Sequence, residues 1–189
     1  MAMKIDWEHV ENTIVAAAIT CFEDFAAKHR NEFFYGFFLD CNATYFETLG
    51  HFNTATLLRE TALDYQTRNA ALYPGWSVEQ LEQELRWSAG DWGYFEVFNP
   101  CDYDKDYNEL IGKAISHFHS IPCDEMHEPT VYDQFLEMSC RVALRLQSEN
   151  AFKSFNTTAG FRVLCVDHDE SIEDGERRLQ SVRESMKNT

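Results

Sequence analysis

Positive charge is scarce in this 189-residue chain: 16 Lys and Arg stand against 32 Asp and Glu, a formal net charge of −16. A surface of that sign repels phosphate backbones and anionic bilayers, which argues against nucleic acid and membrane as direct partners and leaves either a solvated acidic surface or a face complementary to a basic protein partner. Only 4 prolines and 8 glycines are present, and no Gly/Ser/Pro tract is long enough to separate domains, so one globular domain over residues 1–189 is expected. No apolar run approaches the roughly 18 residues of a transmembrane helix. The first residues, Met1 to Glu11, contain no apolar h-region of a secretory signal, and the six cysteines form no C-x-x-C pair. The expectation is a cytoplasmic protein with reduced thiols.

Catalytic signatures are missing as well. There is no G-x-G-x-x-G or phosphate-loop pattern, no G-x-S-x-G elbow and no H-E-x-x-H pair, so no nucleotide cofactor, and no cofactor of any kind, has a motif in its favour. Nothing in the sequence sets the oligomeric state.

The chain does carry strong periodicity. Trp7, Val10, Ile14, Ala17, Ala18, Cys21 and Phe25 recur at three- and four-residue spacing after Asp6, which predicts a capped amphipathic helix over 7–29. Phe33 to Leu39 is a continuous aromatic run that reads as a central strand, with Asp40-Cys41-Asn42 as turn chemistry and Ala43 to His51 returning beside it. Asn53 or Thr54 caps a second helix, which Tyr73-Pro74-Gly75 stops. Ser77 and Gln80 have the spacing of a capping box for a third.

Gly93 to Phe98 reads as extended, Tyr107 to Phe118 as an amphipathic helix, and Val131 to Leu146 as a core helix in which Glu137 can pair with Arg141. Phe152 to Gly160 reads as a loop, Phe161 to Val166 as a short buried strand stopped by Asp167-His168-Asp169, and the segment after Ser171 as an exposed surface helix. Helices before, between and after a few strands give an α+β fold: a mixed or antiparallel sheet packed against several helices.

Two stretches could carry function. Leu85 to Trp92 places Arg86, Trp87, Asp91 and Trp92 around a small turn. Either the tryptophans fill the core while Arg86 bonds Asp91 or a carbonyl, or the segment is a recognition patch, since Trp and Arg dominate protein interfaces. Between His117 and His127, the imidazoles of His117, His119 and His127 gather with the thiol of Cys123 and two carboxylates. Zinc prefers such donors, and a metal-dependent hydrolase with Glu125 or Glu128 as general base is the alternative function they suggest. Against it, His117 and His119 leave a helix in different directions. Asp102, Asp104 and Asp106 imitate the start of a calcium loop, but Tyr107 stands where the turn needs glycine and Lys113 where a bidentate Glu belongs.

The early helix, the Phe34-Tyr35-Gly36-Phe37-Phe38 strand, the Arg86-Trp87-Ser88-x-x-Asp91-Trp92 segment and the Phe161-to-Asp169 strand together resemble a family of bacterial proteins known as a domain of unknown function. Its members often carry Pro where this chain has Ala89. The resemblance implies no activity and no catalytic residues. Small acidic proteins of this sort look like the immunity proteins of bacterial toxin systems, an analogy that implies a non-enzymatic binding protein.

Overall fold

The computed structural model describes residues 5–103, 105–120 and 131–188, the side chains of 105, 106 and 117–120 excepted. Helix α1 (Trp7–Lys28) opens the fold where the periodicity predicts, its first turn capped by Asp6, whose carboxylate accepts the His9 amide at 3.0 Å. Strands β1 (Phe33–Asn42) and β2 (Glu47–Thr54) form an antiparallel hairpin, with Phe37 opposite Phe52 and Phe38 opposite His51. Thr54 caps α2 (Ala55–Arg68), and the Ser77–Gln80 capping box starts α3 (Val78–Leu85). Strand β3 (Tyr94–Phe98), α4 (Lys105–Ser120), α5 (Val131–Ser148), β4 (Asn156–Asp167) and α6 (Ile172–Lys187) follow.

The four strands lie in the order β3-β2-β1-β4, with β4 parallel to β1 and the other pairs antiparallel. This is a mixed sheet with helices on both faces, an α+β fold. On one face Phe34, Phe37, Leu39 and Cys41 of β1 and Val163 and Cys165 of β4 meet α1 and α5. Phe22 is the hub of that core: its ring lies 5.1 Å from both Phe37 and Phe52 and 5.4 Å from Phe152, and it is fully buried. Glu11 ties the two helices together by accepting from Arg141 at 2.8 Å and Arg145 at 3.2 Å. Arg141 therefore reaches across to α1 and leaves Glu137 of its own helix, because a half-buried pair with two guanidinium partners outweighs an exposed i,i+4 contact.

The other face buries Tyr35, Phe38, Leu164 and Val166 beneath Leu58 and Ala62 of α2, Leu81 and Leu85 of α3, and Trp92. A β-bulge between Phe34 and Gly36 turns Tyr35 and Gly36 both toward this side. Gly36 leaves the room the tryptophans occupy, since a Cβ there would lie 2.8 Å from Trp92 and 3.0 Å from Trp87.

Three expectations need correction. β1 runs on through Asp40-Cys41-Asn42 instead of turning: all three pair with β2, and Asp40 and Cys41 pair with β4 as well. β4 starts at Asn156, so the second half of the expected Phe152-to-Gly160 loop belongs to the strand, which stops at Asp167 as the Asp167-His168-Asp169 signal predicts. Helix α6 is less exposed than its sparse apolar stripe suggests: Leu179 is buried, and Gly175 sits so close to β4 that a Cβ would come within 2.9 Å of the Cys165 carbonyl oxygen.

Candidate functional site

Arg86 ends α3, and its carbonyl oxygen anchors the turn that follows: it accepts the indole N–H of Trp92 at 3.1 Å and the phenol of Tyr35 at 2.9 Å. Asn53 extends this network, donating to the Tyr35 oxygen at 2.9 Å and accepting the Thr54 and Gly93 amides. Burial pushes the Tyr35 phenol far above its ordinary pKa. The Arg86 guanidinium lies over the Tyr35 ring, 4.9 Å from its centre.

Asp91 does not pair with Arg86. Its two oxygens accept the hydroxyls of Tyr65 at 2.6 Å and Ser88 at 2.7 Å, and the bond to Asp91 pushes the Tyr65 pKa up to about 12. Trp92 is 3% exposed. These contacts make the segment a latch between α2, α3 and the sheet. Trp87 stands apart from its neighbours: it is half-buried, carries the Arg162 guanidinium 4.6 Å from its ring centre, and forms part of the wall of a cavity.

That cavity, about 390 Å³, lies on the same face of the sheet at the far end of β1, bounded by Asp40, Trp87, Phe95, His168, Glu170 and Ser171. Asp40 comes from β1, His51 from β2 and His168 from just beyond β4, where its amide continues the ladder to the Cys41 carbonyl at 2.7 Å. Beside His51, β3 departs from regular pairing. Gly50 opposes Phe98 and Phe52 opposes Tyr94, so the stretch 95–97 spans the single residue His51. Glu96 takes a positive φ of 49° there, a conformation costly for a residue with a Cβ, and its amide donates to His51 Nδ1 at 2.8 Å. Phe95 stacks on the imidazole at 4.4 Å.

The Glu96 bond fixes the tautomer of a ring that is 0% exposed. With Nδ1 accepting, the proton sits on Nε2, which faces Asp40 Oδ2 at 3.7 Å; His168 Nδ1 faces the same oxygen at 3.6 Å. A protonated Nε2 cannot ligate a metal. Among the described residues no group of three His, Cys, Asp or Glu is arranged to hold one. The side chains of His117 and His119, and Cys123 and His127 entirely, lie outside the described residues.

Comparison with protein families places the whole arrangement inside one domain: the model of a domain of unknown function (DUF4303) matches residues 14–183. The chain belongs to this family. Comparisons with curated proteins and with solved structures gave no match. The matched span of the DUF4303 domain contains Asp40, His51, His168 and the whole Arg86–Trp92 latch.

Within the DUF4303 domain, two larger hollows flank α6, but their charged groups answer one another. Arg177 pairs with Asp174, Arg178 donates to both Glu170 oxygens, and Tyr132 donates to Asp167. The Ser171 hydroxyl, which lines the Asp40 cavity, is also committed, donating to Asp174. The cavity thus offers a carboxylate between aromatic walls, a geometry suited to recognition. Sequence reasoning treated Asp40 and His168 as punctuation. The available signal was the alternation itself, since Asp40 continues the Tyr35, Phe38 face of a strand that is aromatic or apolar from Phe33 to Leu39.

Proposed function

We propose that this protein is a non-enzymatic binding protein that receives a basic partner protein, with the mouth of the Asp40 cavity and the rim of Trp87 as the contact. The single observation that carries the reading is Asp40: a carboxylate with a side chain 16% exposed that forms no hydrogen bond among the described residues, set in a chain of net charge −16. Many of the chain's own cations are already engaged by its carboxylates, as with Arg59, Arg141, Arg145, Arg162 and Arg178, which leaves the acidic surplus to face a partner. The analogy with immunity proteins supports the same reading, in which the partner is a basic toxin held in an inactive complex.

The test is capture of partners by the immobilised protein from its source cell, at low and at moderate salt. The expected result is retention of a basic protein that salt releases and that Trp87→Ala weakens. Absence of any salt-sensitive basic partner overturns the reading.

A further inference from the structure

Resting on that reading, the geometry points to the ligand of the cavity: we infer that Asp40 seats one alkylammonium or guanidinium group, the side chain of a lysine or arginine on the partner. Other enclosed carboxylates of the chain have donors supplied by the fold. Asp91 accepts two hydroxyls, Asp167 accepts the Ala43 amide at 3.0 Å and the Tyr132 hydroxyl, Glu170 accepts Arg178 and the Asp167 amide, and Glu11 accepts two arginines. Asp40 alone of these five has only two imidazole nitrogens nearby, both beyond hydrogen-bond distance, and it opens on a cavity.

His51 does not fill this role: its Nδ1 accepts the Glu96 amide, and its buried Nε2, 3.7 Å from Asp40, has no hydrogen-bond partner among the described residues. His168 is 63% exposed on the solvent side, where an ion pair is screened and weak. Asp167 and Glu170 also line the cavity, each with donors supplied by the fold, so Asp40 is the carboxylate left there for a cation.

The walls suit a long cationic side chain. Phe95 has one ring face on His51 and is 50% exposed, and Trp87 stands beside it, giving apolar surface for the methylene stem while the charged head reaches Asp40. The same face of the sheet already seats guanidinium groups on rings twice, Arg86 on Tyr35 and Arg162 on Trp87. A charge-assisted hydrogen bond to an enclosed carboxylate is stronger than one in open water, so one side chain can anchor the encounter that the acidic surface steers.

The experiment titrates the intact protein with the N-acetyl methylamides of arginine, lysine and citrulline, the last being the neutral isostere of arginine, and follows the Trp87 indole and His51 imidazole signals by NMR. Saturable shifts at both positions are expected with arginine or lysine. Affinity for citrulline should be about tenfold lower, the worth of a charged over a neutral hydrogen bond. Equal binding of citrulline and arginine, no saturation, or shifts spread over the acidic surface and absent from the cavity overturns the inference without relying on any variant.

Asp40→Asn then separates the two claims. If the variant retains the lysate partner as well as wild type, the seat is wrong while the binding function stands. If arginine binds the cavity and no basic partner is captured, the seat stands and the function fails.

Discussion

Asp91 and Asp40 are carboxylates on one side of the same sheet, and the fold treats them oppositely. Asp91 is clamped by Tyr65 and Ser88 and serves to hold a turn; Asp40 is left open-handed at a cavity, facing the His51 imidazole of β2, whose other nitrogen is held by the distorted strand β3. A satisfied carboxylate stabilises its surroundings, whereas one that the fold leaves without donors contributes little to stability and stays open to a group from outside. Under the proposed function the contrast between the latch and the cavity is one between structure and recognition, and it can be measured.

The largest effect should come from the latch. Trp92→Ala removes a buried ring that touches Tyr35, Phe38 and Trp87 and should lower unfolding free energy by about 3–5 kcal/mol in urea denaturation. Asp91→Ala strands two hydroxyls at once and should cost about 2–3 kcal/mol in the same measurement. Tyr65→Phe removes one of those two bonds and should cost about 1–2 kcal/mol.

Tyr65 also gives the comparison a pH signature. Its folded pKa lies above its unfolded value of 10.0, at about 12, because the bond to Asp91 favours the protonated phenol. The stability it contributes is thus fully present below pH 10 and is lost as pH rises toward 12. In alkaline melting curves, Tyr65→Phe should show a shallower loss than wild type across that window. The smallest effect belongs to Asp40→Asn, which removes no hydrogen bond of the fold and should change stability by about 0.5 kcal/mol or less. A cost matching that of Asp91→Ala would abolish the contrast.

Much of the scaffold can be read from local signals. Asp6 and the three- to four-residue spacing of α1, the Ser77–Gln80 box and the aromatic run of β1 each state their element within one window. Where several windows must cooperate, the reading fails. Asn156 to Gly160 carries no apolar alternation, and its start joins the strand through pairing with β1, Phe33 with Asn156 and Phe34 with Thr157. Arg141 finds Glu11, 130 positions away, in preference to a neighbour on its own helix.

The cavity is the extreme case. Asp40, His51 and His168 meet through one antiparallel and one parallel pairing, and the tautomer that gives His51 its role depends on a backbone amide of Glu96 in a conformation no composition reveals. The Arg86–Trp92 segment stood out for its residue types and proved to be mostly a latch; Asp40 had ordinary neighbours and a place in the fold that matters more.

The strand order has a consequence for how the protein is made. β1 is the inner strand that joins the early hairpin to β4, and its partner on that side is encoded more than a hundred residues later. At ribosomal rates of about 5–20 residues per second, the free edge of β1, with its run of phenylalanines, stays unpaired for on the order of ten seconds while the chain emerges. That interval is when a strand of this composition is most prone to pair with a copy of itself, so yield of the full-length protein should depend on chaperone capacity during synthesis more than on the stability of the finished fold.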